Sequence, residues 1–136
     1  MKTFFLLIAI ILTLGCSIEE KKITNILVKS VDLETTTITR IDCDMFDLTF
    51  ENDKEFKKKL IKEKKVLDKV KNIMATLKLS NKTYNIDVRE KIIIFYSDHT
   101  KDTLCASLTG ITLNGNLMQI DSKDLNFIHK LVMYQN

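Results

Sequence analysis

The sequence predicts an α+β domain: a mostly antiparallel sheet with helices on one face, in the order β-β-α-β-β-β-α. Three observations carry this. Runs rich in Ile, Val and Thr, of strand length, recur between residues 23 and 120. Residues 66–77 and 125–132 space their apolar side chains with the period of an amphipathic helix. Asn114-Gly115, set between Ile111-Thr112-Leu113 and Leu117-Met118-Gln119-Ile120, has the chemistry of a two-residue hairpin, whose turn positions both need positive φ.

Residues 23–31 read as the first strand and residues 35–46 as the second. In the second, Thr39, Ile41, Cys43 and Met45 would share a buried face, opposite Arg40, Asp42 and Asp44. Asp32-Leu33-Glu34 would join the two as a hairpin. Asn52, with Glu55 three residues on, has the pattern of a helix start, and Phe56, Leu60 and Ile61 follow at helical spacing. Lys62-Glu63-Lys64-Lys65 then interrupts. Residues 52–79 are one long helix with an exposed turn or, as preferred here, a short helix, a break and a longer helix. Val66, Leu67, Val70, Ile73, Met74 and Leu77 would form the buried stripe of that longer helix.

Ser80-Asn81-Lys82 reads as a turn and residues 84–96 as the next strand. Ile92-Ile93-Ile94-Phe95-Tyr96 lacks polar alternation, which predicts a central strand covered on both faces. Ser97-Asp98-His99-Thr100 is a turn. Residues 103–109 read as a strand with Leu104, Ala106 and Leu108 on one face, and Gly110 as a bulge. Asp121, with Asp124 three residues on, caps a last helix carrying Leu125, Phe127, Ile128, Leu131 and Val132. No internal repeat is visible.

The chain has 136 residues, 45% of them hydrophobic and 29% charged, which suits a single domain with its own core. The 21 Lys and Arg against 18 Asp and Glu leave a formal net charge of +3. The distribution is uneven. Residues 31–51 hold Asp32, Glu34, Asp42, Asp44, Asp47 and Glu51 against Arg40, whereas residues 53–71 hold nine Lys against Asp53, Glu55, Glu63 and Asp68. Nucleic acid is not an expected partner, since basic and aromatic residues are not interleaved.

The amino end has its own pattern. Lys2 precedes an apolar run over residues 4–14 that would span roughly 16 Å as a helix, about half a bilayer core. That length suits the h-region of a signal peptide. The run ends in Leu12-Thr13-Leu14-Gly15-Cys16, which resembles the lipobox of bacterial lipoproteins, with Thr13 where an aliphatic residue is usual. The resemblance covers about residues 1–20. It implies cleavage before Cys16, lipid on its sulfur, and a chain held at the cell envelope by acyl groups. On that reading residues 1–15 are a signal peptide, 16–22 a tether and 23–136 one domain. Ser17, Glu19 and Glu20 loosely resemble the surface-display signal of Bacteroidota lipoproteins, so both periplasmic and surface-facing placements stay open. The rest of the chain resembles no family of known function.

With Cys16 lipidated, Cys43 and Cys105 remain. They read as a disulfide, as two separate buried thiols or as a site of reactivity. Asp42, Asp44 and Asp47 are weighed as a cation site, but they lack the Gly turn and distal Glu of a calcium loop, so an exposed polar face is expected. Two His are too few for a His-rich metal site. His99 and Cys105 have the residue types of a thiol hydrolase without an accompanying Gly-rich loop or nucleophile elbow. No catalytic residue, metal or cofactor is expected. The favoured function is a non-enzymatic module binding an extracytoplasmic protein, of inhibitor or immunity type, through Asp42, Asp44 and Asp47 or Lys57, Lys58 and Lys62. The rivals are a small envelope ligand carrier or hydrolase near His99 and Cys105, and an accessory subunit of an envelope complex.

Overall fold

Three consecutive β-branched residues, Ile92-Ile93-Ile94, favour an extended strand and sit at the middle of the sheet. The computed structural model describes residues 21–133, so the expected signal peptide, Cys16 and most of the expected tether lie outside the described residues. The strands are β1 (Ile23–Ser30), β2 (Lys57–Ile61), β3 (Lys78–Leu79), β4 (Glu90–Tyr96), β5 (Lys101–Ala106), β6 (Ile111–Leu113) and β7 (Asn116–Gln119). They form one antiparallel sheet in the order β2-β1-β4-β5-β6-β7-β3. The helices are α1 (Phe46–Phe50), α2 (Lys64–Thr76) and α3 (Ser122–Lys130), the last running into a 3-10 turn, Leu131–Met133. The class is α+β, as the sequence predicts.

One face of the sheet carries the main core. Successive strand residues point to opposite faces, so Ile26 and Val28 of β1, Ile92 and Ile94 of β4, and Leu104 and Ala106 of β5 share a side. Val66, Leu67, Val70 and Ile73 of α2 and Leu125 and Ile128 of α3 close over them. This is the stripe expected of α2, although Met74 and Leu77 are only half-buried. Full burial of each such aliphatic side chain contributes about 1.5–3 kcal/mol. Asp121 caps α3 as expected, its carboxylate accepting from the Asp124 N–H at 2.8 Å. Asn114 and Gly115 have φ of 49° and 82°, the two positive values expected of the β6–β7 turn.

Several local expectations are overturned. Residues 35–45 form no strand. Asp32 Oδ1 accepts from the Glu34 N–H, Thr37 Oγ1 donates to the Thr39 carbonyl, and the Ile41 N–H donates to Asp87 Oδ1. These bonds satisfy the backbone without a ladder. Asp42 and Asp44 consequently share no strand face, and Thr39 and Met45 are exposed. No helix starts at Asn52 either. Asp53 Oδ1 accepts from the Glu55 N–H in a turn, and residues 57–61 then pair with β1. The first strand's antiparallel partner is therefore β2, reached through a 26-residue connection, residues 31–56, and not through the short junction expected at 32–34. Lys57 and Lys58 lie on an edge strand, where charge opposes pairing with other chains. The break within 52–79 is real, and the only helix in that stretch begins at Lys64.

Further along, β4 starts at Glu90, not at residue 84, and β5 ends at Ala106, leaving Leu108 exposed. Gly110 closes a turn in which Ser107 Oγ accepts its N–H, and is not a bulge; a Cβ there would come 3.2 Å from both Tyr84 Oη and Ile86 Cγ2. The expected tether also ends sooner. Lys22 exchanges hydrogen bonds with Ser97, and Lys21 Nζ lies 3.8 Å from the Tyr96 ring centroid.

The second face of the sheet is covered in part. A smaller cluster unites Val31, Ile41, Phe46, Phe50, Ile86, Val88 and Cys105. Cys105 is bonded there to Cys43, with Cα atoms 5.8 Å apart and a sequence separation of 62. Closing a loop of that length contributes about 4 kcal/mol by chain-entropy reasoning. This cover stops short of the far half of β4. Ile92 and Ile94 are fully buried, whereas Ile93 and Phe95 stay half-exposed, contrary to the expectation of two covered faces. Ile92→Ala is therefore expected to cost about 2–5 kcal/mol in urea unfolding, and Ile93→Ala about 1 kcal/mol. Equal costs would contradict the one-sided cover.

Candidate binding face

The half-open face is built by register. Leu27 stands opposite Leu60 on one side and Ile93 on the other. Phe95 stands opposite Asn25 and Lys101, and Ile93 opposite Thr103. Leu27, Leu60, Ile93 and Phe95 thus form an apolar surface across β2, β1 and β4. Leu60 is 45% exposed and the other three are half-buried. Exposed Lys58 and Lys101 share this face, the first opposite Lys29 and the second opposite Phe95.

The covering segment sets the lower limit of the face. Phe46 and Phe50 on α1 pack with ring centroids 5.2 Å apart, and Phe46 meets Phe56 at 6.3 Å. Between them on the helix, Asp47 turns to the sheet. Its two carboxylate oxygens accept from Lys29 Nζ and Lys91 Nζ, each at 2.7 Å. Burial works to raise the Asp47 pKa, but the two lysine hydrogen bonds and charges outweigh it and hold the carboxyl below its ordinary value. Asp47 is thus an anchor, not the exposed binding residue that the sequence suggested. Nearby, buried Arg89 grips Asp87 with two 2.7 Å bonds and donates to the Thr35 carbonyl at 2.8 Å, which fixes the loop before Ile41. Burial opposes the Asp87 charge, yet bonds from the Ile41 N–H and Arg89 keep its pKa low.

Beyond the disulfide, toward β6 and β7, the same face holds a cleft of about 530 Å³. Its floor is Thr103, Thr112 and Leu117, and its walls are residues 42–44 and 84–88. Asp42 and Asp44 line it, so two of the three predicted acidic residues do meet, though in a turn and not on a strand. Asp42 also pairs with Arg40 at 3.3 Å.

The other sequence candidates separate. Lys57 pairs with Ser30 and therefore shares the side of the main core; Lys62 follows β2 and is exposed. His99 sits exposed in the β4–β5 turn with φ of 64°. It is six residues from Cys105, roughly 20 Å along a strand. Cys105 is fully buried in a disulfide and offers no thiolate. The His99–Cys105 arrangement is therefore not assembled. Among the described residues no group of three or more His, Cys, Asp or Glu is placed to hold a metal ion.

Sequence reasoning missed two features. The apolar face was hidden because Ile93 and Phe95 were assumed covered. The second is the pairing of half-buried His129, whose Nδ1 lies 2.6 Å from Glu90 Oε2, with Glu90, buried beneath α3. A carboxylate at the start of an apolar strand was the available signal.

No protein-family profile, curated protein or solved structure matches this chain.

The Asp47 anchor generates a pH prediction. A carboxyl whose folded pKa lies below its unfolded value of about 3.9 adds stability above that value and loses it as pH falls through the folded pKa. Asp47→Asn is expected to cost about 1–2 kcal/mol at pH 7, by urea unfolding, because it removes a shared charge at a partly exposed site. The difference from the native protein should shrink steadily below pH 4. A cost independent of pH would show that the charge plays no part.

Proposed function

We propose that this protein is a lipid-anchored, extracytoplasmic binding module that holds a protein partner on the half-open face of its sheet. The observation that carries this reading is the cross-strand set Leu27, Leu60, Ile93 and Phe95. Contiguous apolar surface left uncovered by the protein's own chain marks interaction sites, because exposing it to water is unfavourable unless a partner covers it. Lys58 and Lys101 border it, and Asp47 offsets only one of the two charges on Lys29 and Lys91. An acidic rim around an apolar ridge is the complementary partner chemistry. An inhibitor or immunity role is a concrete form of such binding, and the bridged Cys43 and Cys105 suit an oxidising compartment.

Anchorage at Cys16 rests on the lipobox resemblance. Residues 17–20 reach at most about 14 Å, so a lipidated Cys16 would hold Lys21 and the β4–β5 turn beside the headgroups. Lys21, Lys22 and Lys101 lie at that end, where anionic lipid would attract them.

A photo-crosslinking residue at position 95 of the full chain tests the docking reading in cells of the source. The expected result is one dominant protein adduct, absent when the probe is moved to Lys65 on α2. Against the identified partner, Ile93→Asp should weaken binding roughly thirtyfold or more, as at interface centres. Lys58→Glu should chiefly slow association and reduce its salt dependence. Equal adducts at positions 95 and 65 would refute the proposal.

A further inference from the structure

The cleft beside the disulfide is a different kind of surface from the apolar face. Its volume of about 530 Å³ falls in the range of small-molecule sites, roughly 300–1,000 Å³. Its lining mixes apolar and polar groups. Ile86, Val88 and Leu117 supply aliphatic contact, and Tyr84, 44% exposed, supplies a ring. Asp44, Asn85, Thr103 and Thr112 also line it, the two threonines by their register on this face, and the side chains of these four make no hydrogen bond among the described residues. By contrast, Asn114 is committed, since its side chain bonds Asp102 and the Thr103 N–H.

The available groups define the ligand's chemistry. A carboxylate only accepts, an amide does both at separate atoms, and each hydroxyl does both at one atom. Their complement is a ligand with several adjacent hydroxyls. Charge argues for neutrality: Asp42 is paired with Arg40 and Lys91 with Asp47, so carboxylates and an ammonium line the same cleft with most of their charge already matched. An anion would meet Asp42 and Asp44, and a cation would meet Lys91. Aliphatic and aromatic contact beside hydroxyl-binding groups matches the two kinds of surface on a pyranose, its C–H face and its O–H edge.

We propose that the cleft between residues 42–44 and 84–88 binds a neutral saccharide, with Asp44, Asn85, Thr103 and Thr112 holding its hydroxyls and Leu117 and Tyr84 its apolar face. The site adjoins the apolar docking face, Thr103 standing opposite Ile93, but neither proposal depends on the other.

The test is NMR titration of the isotopically labelled full chain in detergent micelles. The probes are glucose, galactose, mannose, N-acetylglucosamine, maltose and cellobiose, with arginine amide and inorganic phosphate as charged comparators. At least one sugar should shift the amides around Thr103, Thr112 and Asn85, and leave those of α2 unmoved. Thr112→Val keeps the strand's β-branched shape, and Asn85→Ala alters an exposed position, so both should fold. Each should weaken that sugar roughly five- to tenfold, as expected for one lost hydrogen bond. A Lys65→Ala variant, at an exposed position on α2, should bind it unchanged. Shifts from arginine amide or phosphate but from none of the sugars would overturn the proposal, as would no shift from any probe or sugar affinity untouched by both cleft variants.

Discussion

The structure depends on how residues 31–56 are fixed to the second face of the sheet. Without that segment, β1 and β4 would form a two-layer arrangement with an entire face in water. Three unlike interactions hold it. Cys43 is joined to Cys105 in the middle of β5, Asp47 bridges Lys29 of β1 and Lys91 of β4, and Arg89 ties Asp87 to the loop before Ile41. Phe46 and Phe50 add the apolar contact. The covalent link acts mainly on the unfolded chain, whereas the lysine pair selects the position of α1 in the native state. Because these anchors gather near one end of the strands, they cover Cys105 and leave Ile93 and Phe95 open.

That incomplete cover produces two surfaces from one sheet face. Over β2, β1 and β4 the middle of the face is Leu60, Leu27, Ile93 and Phe95, with Lys58, Lys29 and Lys91 beside them, so the surface is an apolar patch edged by lysines. Over β5, β6 and β7 they are Thr103, Thr112 and Leu117, and the covering segment stands beside them as a wall. The difference lies in sequence alternation within each strand: β4 is apolar on both sides, whereas β5 and β6 alternate Thr with Leu or Ile. The apolar half suits a protein surface and the polar half a small ligand with hydroxyls, so the proposed protein-docking and saccharide sites are assigned to different strands.

The elements legible in the sequence were those fixed by local chemistry. The Asn114-Gly115 turn, the Asp121 cap and the stripe Val66, Leu67, Val70 and Ile73 each follow from residues within one or two turns of one another. The errors came where distant groups decided the outcome. Alternation in residues 39–45 looked like a strand, but Asp87, more than forty residues away, takes the Ile41 N–H and Cys105 takes Cys43. Helical spacing of Phe56, Leu60 and Ile61 was fortuitous, because β1 supplies a long-range ladder that outweighs local propensity. Of the candidate site residues, Asp42 and Asp44 meet in the cleft, Lys58 borders the apolar face, and Asp47 is structural. The apolar face itself was half visible: the unbroken run at 92–96 announced apolar residues on both sides of a strand, and only the length of the cover determined that one side stays open.

The most direct test of this account is amide hydrogen exchange of the full chain before and after reduction of the Cys43–Cys105 bond. Selective acceleration of exchange at residues 41–50, with β4 and α2 still protected, is the predicted result, because the helix-packed face keeps its own core. Unchanged exchange at 41–50 would show that the bond does not fix the cover. Simultaneous loss of protection in β4 and α2 would show that the two faces are not independent, and the half-open face would not be a stable feature of the fold.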